Sequence, residues 1–265
     1  MNSCRSGCRA GVLGLVALAT LLLAGLGSAA ATPTQIAVRV LAKGAKFVGT
    51  SMGGVRVTIR DADTGEILAD GVTRGSTGDT DRIMVEAHAH DAVLSTEGAA
   101  LFTATLEIDA PRWIEITAFG PLAQRQGANR ISVTQWIVPE KHLTGGDGVL
   151  LELPGVVVDI LSPAAHARMQ GTTQQVELRA NVVMMCGCPL YPDGLWDPAR
   201  FEIEAILVRN GETMGSMPLH YAGTWSQFAA TWEVKEAGTY EAIVYAHDPA
   251  NGNTGLDRVT FLVRE

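Results

Sequence analysis

Short runs of alternating apolar and polar residues, each closed by glycine, proline, asparagine or aspartate, recur along this chain from Thr34 onward. Val55-Arg56-Val57-Thr58-Ile59-Arg60 is the clearest, and Asp61-Ala62-Asp63-Thr64-Gly65 follows it as a turn before Ile67-Leu68 starts the next run. Alternation with period two is the signature of a strand with one face in a core and one in water. Further strands are expected at Gln35–Leu41, Ile83–His90, Leu101–Ile108, Trp113–Ala118 and Ile131–Val138. No stretch of ten residues or more reads as a helix. Many short strands with turn residues between them predict an all-β sandwich architecture.

Leu153-Pro154-Gly155 interrupts the series, and a second one begins at Val156. Its expected strands are Val156–Pro163, Gln174–Val183, Phe201–Val208, Glu212–Met217, Phe228–Val234, Thr239–His247 and Arg258–Val263. Two domains are therefore expected, 34–152 and 155–265, each of a size able to bury its own core.

Residues 1–31 read as a secretory signal peptide. Arg5 and Arg9 precede an uncharged apolar run from Gly11 to Leu26, and Ser28-Ala29-Ala30-Ala31 supplies small residues for cleavage. An uncleaved membrane anchor is the competing reading, since Gly11–Ala31 approaches the ~20 residues that span a bilayer. Cleavage is preferred because no charge cluster stops transfer. The expected location is the periplasm or the cell exterior, with no membrane contact once the leader is gone. The formal charge is −8, from 20 basic and 28 acidic residues. An acidic chain is a poor match for nucleic acid or anionic lipid, both of which require clustered Lys and Arg. An unidentified protein or metal of the cell envelope is the expected partner.

Two resemblances refine the fold. The text GVRVTIRDADTGEILADGVT at Gly54–Thr73, with STEGAALFTATLEI at Ser95–Ile108, resembles the carboxypeptidase-regulatory-like and transthyretin-like β-sandwiches. Residues 74–94 depart from that pattern. The ending GTYEAIVYAHDPANGNTGLDRVTFLV at Gly238–Val263, with VDILSP as first strand, resembles bacterial immunoglobulin-like domains. These resemblances imply two tandem Greek-key sandwiches that bind or space, not catalysis. The immunoglobulin-type strand order would bring the loop after Val183 beside His247, Asp248 and the Gly223-Thr224-Trp225 turn, facing the first domain.

That loop is Met184-Met185-Cys186-Gly187-Cys188-Pro189, continuing through Pro192, Gly194 and Trp196 to Pro198. Cys4 and Cys8 precede the apolar core of the leader, so Cys186 and Cys188 are the only cysteines expected in the mature chain. In an oxidising compartment an unprotected pair is oxidised, metal-bound or bridged to another chain. As a metal site, the two sulfurs with Met184, Met185, His220 and His247 would suit copper as Cu(I). As a disulfide, the backbone must bend at Gly187 to bring the Cβ atoms together. Met184 and Met185 point to opposite sides of a strand, so one at most is expected as a ligand and the other as core.

Three further groups are candidates. Glu86, His88 and His90 alternate along the strand expected at Ile83–His90 and would share a face suited to copper or zinc. Asp248, Asn251, Asn253 and Asp257 carry oxygen ligands at calcium-like spacing, or form a plain Asx turn. Trp196 and Trp225, with Asp248, are candidate binding residues; tryptophans in such loops also cap sandwich cores. No G-x-S-x-G, H-E-x-x-H, phosphate loop or C-x-x-C-H occurs, so the chain is expected to be non-enzymatic. The two functions that follow are an exported binding protein with a soft-metal or redox-sensitive Cys loop, and a structural or adhesive spacer in which Cys186–Cys188 is a local disulfide.

Overall fold

Sixteen strands carry the fold of the computed structural model, which describes residues 31–89 and 91–265. The expected leader, apart from Ala31, lies outside the described residues, as does His90. From the N-terminus the strands are β1 (Thr32–Ala42), β2 (Arg56–Asp61), β3 (Ile67–Val72), β4 (Phe102–Ile108), β5 (Arg112–Gly120), β6 (Asn129–Ile137) and β7 (Val149–Leu153). They form a three-stranded sheet, β4-β1-β7, and a four-stranded sheet, β3-β2-β5-β6. Period-two alternation does the sorting. Val57 and Ile59 of β2, with Ile114, Ile116 and Ala118 of β5, are fully buried, while Arg56, Thr58 and Arg60 face outward.

The second series is β8 (Val156–Ser162), β9 (Arg168–Gln170), β10 (Gln174–Met184), β11 (Glu202–Arg209), β12 (Glu212–Pro218), β13 (His220–Tyr221), β14 (Gln227–Val234), β15 (Gly238–Asp248) and β16 (Asn253–Arg264). Its sheets are β13-β14-β10-β8 and β12-β11-β15-β16-β9. The first strand leaves one sheet as β8 and joins the other as β9, which runs parallel to β16. That order is the one found in immunoglobulin-type sandwiches. Tyr240 adds the corner typical of them: its hydroxyl donates to the Glu236 carbonyl at 2.7 Å, and its ring stacks on Phe261. All-β sandwich architecture is thus the finding.

Residues 80–89 correct one expectation. In place of a strand at Ile83–His90 there is a single helical turn, α1 (Thr80–Met84), followed by irregular backbone. Asp79 caps it, its carboxylate accepting from the Arg82 N–H at 2.8 Å. Ile83 is the one buried side chain of the turn, packed with Phe47, Ala99 and Ala100. Glu86 and His88 stand on the irregular backbone after the turn, where no strand alternation holds them to one side, so they lose the shared strand face on which their metal reading rested.

While Phe47, Ile83, Ala99 and Ala100 form a small separate cluster, most buried apolar residues of both halves form one continuous cluster, running from Ile36 and Val38 through Met52 to Met185, Cys186 and Phe261. Its crossing point is where the Cys-Gly-Cys turn sits.

Candidate functional site

β10 alternates inward at Val176, Leu178, Ala180, Val182 and Met184, and then the chain turns back on itself. Gly187 makes the turn with φ +80°, a left-handed conformation that costs a glycine little. The Gly187 N–H donates to the Met184 carbonyl at 2.7 Å, and the Met184 N–H to the Cys188 carbonyl at 3.0 Å. Within this clasp Cys186 and Cys188 are joined by a disulfide, with their Cα atoms 5.4 Å apart. Both are buried, at 1% and 6% exposure. Pro189 then pairs back on Val183 as an isolated bridge.

Both methionines are core. Met184 ends the strand on its inward face, and Met185, already in the turn, is not bound by strand alternation. Its thioether lies against Gly155 at the junction between the two series.

The loop beyond the turn is held at several points. Ser226 donates its N–H to the Leu190 carbonyl at 2.8 Å, and its hydroxyl accepts from the Leu190 N–H at 3.1 Å. Trp225, beside it, is 62% exposed and stacks on Tyr191 at 4.7 Å between ring centroids. Trp196 is buried, and its indole N–H donates to the Gly44 carbonyl at 3.0 Å, across the junction. Farther on, Arg200 reaches Asp248 at 3.8 Å.

A second strap crosses the same junction. Asn253, with no exposed surface, accepts from the Gly155 N–H at 2.9 Å and donates to the Lys43 carbonyl at 2.8 Å. The Lys43 ammonium in turn donates to the Asn251 carbonyl at 2.8 Å. The loop containing Lys43 and Gly44 is therefore gripped from both sides.

An open groove of about 340 Å³ runs over the disulfide. Lys46, Ser51 and Thr80 line one wall; Cys186, Cys188, Tyr191 and Trp225 line the other. Lys46 donates to the Thr80 hydroxyl at 2.8 Å.

The other candidates fall elsewhere. His220 lies on β13 in a separate groove with Glu202 and Glu204. His247, on β15, bonds Thr254 through Nδ1 at 2.9 Å. Neither lines the groove at the disulfide. Asp248 is 1% exposed and closes its own turn, accepting from the Ala250 N–H and the Asn251 amide, both at 2.9 Å. Asp257 is turned instead to the backbone of Ile160 and Arg258, so the four-residue calcium set does not converge. Among the described residues, no group of three or more His, Cys, Asp or Glu is placed to hold a metal ion. Sequence reasoning missed Asn253 as the junction's buried tie, since its partners lie 98 and 210 residues away.

No protein-family model matches the chain, and neither does any curated protein. Solved structures similar to it include an engineered protein, 22% identical over 45% of this chain, with a TM-score of 0.29. This chain spans only 22% of that protein's length. The fibronectin(III)-like modules of Clostridium thermocellum CbhA are 12% identical, covering 79% of this chain and 77% of that one, with a TM-score of 0.28. A chimeric titin Z1Z2, functionalized with a KLER exogenous peptide from decorin, is 10% identical over 91% of this chain and 99% of that one, with a TM-score of 0.26. The sandwich assignment rests on strand order and register.

Proposed function

We propose that this chain is an exported, non-enzymatic structural protein of the cell envelope, whose work is to hold two β-sandwiches in one fixed relation. The observation that carries this reading is the buried Asn253 tie between Gly155 and Lys43. Parting the halves would exchange the Asn253 bond to the Lys43 carbonyl for water, a net loss of about 0.5–1.5 kcal/mol, and would also break the Trp196 bond to Gly44 and open the apolar cluster that runs through both halves. Freely jointed modules instead meet through small polar contacts and move. The Cys186–Cys188 disulfide acts here as a local staple that shapes the turn filling the joint.

A soft-metal role for the same turn draws less support. The two sulfurs are bonded to each other, and both neighbouring thioethers are in the core. Copper would require reduction first, because a thiolate is the ligand. A redox-sensitive role stays attached to the structural reading through one feature, the position of Cys186 and Cys188 on the groove wall.

Calorimetry tests the proposal. A fixed joint predicts one cooperative transition for the mature chain, with calorimetric and van't Hoff enthalpies equal. Two separated transitions would make the halves independent modules and end the rigid-spacer reading.

A further inference from the structure

The outer face of the sheet β3-β2-β5-β6 carries a surface that the spacer reading does not use. Arg56 and Arg60 project from β2 and Arg130 from β6, while Arg125 stands on the connection between β5 and β6; all four are exposed. They gather around a groove of about 380 Å³, which continues into a smaller one of about 160 Å³ between Arg60 and Arg130. None of the four makes an ion pair among the described residues, whereas Arg112, Arg179, Arg200, Arg209 and Arg258 all do. Two carboxylates share the face. Asp70 accepts a hydrogen bond from Thr58 at 2.9 Å, and Glu115 stands opposite Arg60 in the ladder. Four guanidiniums against two carboxylates leave a local positive field on a chain whose formal charge is −8.

Register orders the rest of the face. Thr58 pairs Thr117, which pairs Ser132, so three hydroxyls form a rung across the middle of the sheet. At one end Arg130 lies over the Phe119 ring, 5.5 Å from its centroid. At the other end Trp113 and Trp136 pair across the strands, 6.5 Å apart and 26° from parallel, with Trp136 64% exposed. Phe119 and Trp113 are six residues apart on β5, so the face extends roughly 20 Å at ~3.3 Å per residue.

We propose that this sheet face binds a linear acidic polysaccharide, one whose sugars carry carboxylates. Each part has its counterpart in such a polymer. Guanidinium forks pair with planar carboxylates through two parallel hydrogen bonds. The hydroxyl rung meets sugar hydroxyls. The exposed indoles offer flat apolar platforms for the C–H faces of sugar rings, with a polar N–H at the edge. An acidic peptide would use the arginines and leave the indoles idle, and a neutral glycan would leave the arginines unpaired.

Titration calorimetry of the full mature chain with a galacturonic acid hexamer, at low and moderate salt, tests this. The expected result is saturable binding that weakens with salt. Binding should fall tenfold or more in the double variant Arg60→Gln with Arg130→Gln, and severalfold in Trp136→Ala. All three side chains are exposed, so the variants should melt with the wild type, which a parallel thermal scan verifies. No binding by the wild type overturns the proposal, as does an unchanged affinity in both variants. Equal binding of a glutamate hexamer or of dextran sulfate would reduce the face to a general anion patch. Equal binding of a neutral xylose hexamer would remove the role of the arginines. Either outcome overturns the assignment.

Discussion

Gly187 and Met52 touch across the joint: a Cβ added at residue 187 would lie 2.8 Å from the Met52 sulfur. Met52 belongs to a 3-10 turn, Thr50–Met52, in the first half, and Gly187 is the apex of the Cys-Gly-Cys turn in the second. Glycine is needed at 187 for its positive φ, and the close approach of the flexible Met52 side chain adds a smaller constraint.

Gly187→Ala should therefore destabilise the chain by about 1–3 kcal/mol, mainly through its left-handed backbone, since a methionine end can shift. Met52→Ala should cost about 2–5 kcal/mol for the lost burial. Because the residues touch, the double variant should lose less than the sum, by about 0.5 kcal/mol or more. Urea unfolding of the four proteins measures the cycle. Strict additivity would mean that the contact carries no energy.

The disulfide should be present and should contribute little to global stability. It closes a very short loop, and loop-entropy stabilisation grows only with the logarithm of loop length. The double change Cys186→Ala with Cys188→Ala is expected to cost less than the ~2–5 kcal/mol typical of disulfides in small secreted domains. Mass spectrometry under non-reducing conditions should show the wild type two daltons lighter than its reduced form. In anaerobic melts of reduced protein, one equivalent of Cu(I) should leave the wild type and the double variant equally stable. A copper increment near 2.7 kcal/mol, the value for ligand at ~100 times its dissociation constant, appearing in the wild type alone would reinstate the metal site.

The strands were legible because burial on one face writes itself as alternation, as in Val57, Ile59, Ile114 and Ile116. The turn at 79–84 was hidden for a different reason. Its only buried side chain is Ile83, so no period could show, and the usable signal was Asp79 as an N-cap residue with Asp81 in the first turn. Met185 misled because strand parity stops where β10 ends at Met184. The location of the Cys turn beside Trp225 followed from strand order. The partners of that turn in the first half, Met52 and the Gly44 carbonyl, are contacts between distant segments that carry no local pattern.

Asp147 should govern part of the acid limb. Its carboxylate accepts the backbone N–H groups of Leu94 and Ser95, each at 2.8 Å, tying down the segment beyond α1. Burial pushes its pKa up, but the hydrogen bonds from Ser95 and Leu94 and the attraction of Arg39 outweigh it, so it lies below the ordinary 3.8. A depressed folded pKa contributes stability that is present above the unfolded value and lost as pH falls through the folded one. Asp147→Asn should be less stable than the wild type at pH 7, by about 1 kcal/mol for the weakened acceptor, and should lose less on acidification. Urea midpoints from pH 7 to pH 2 check this; parallel curves for the two proteins would remove Asp147 from the acid response.

Asp159 should act in the opposite sense. It lies on β8 beside Asp257 of β16, and burial, followed by repulsion from the Asp257 carboxylate, raises its pKa above 3.8. A carboxyl whose folded pKa is raised binds its proton more tightly in the native state, so its charge opposes folding at neutral pH. That penalty is relieved as pH falls through the folded value, and relief is complete below the unfolded one. Asp257 is not free to move away, because it accepts the Ile160 N–H at 2.9 Å. Asp159→Asn should thus stabilise the chain at pH 7 by a few tenths of a kcal/mol, the partial exposure of the pair screening the repulsion. The advantage should vanish below about pH 3.8, where the wild-type carboxyl is protonated. Asp257→Asn provides the contrast, because it removes the same repulsion but weakens the bond to Ile160, and it should gain less. Thermal melts of the three proteins at pH 7 and pH 3 decide the matter. An Asp159→Asn gain that persisted undiminished at pH 3 would assign the effect to packing instead of charge.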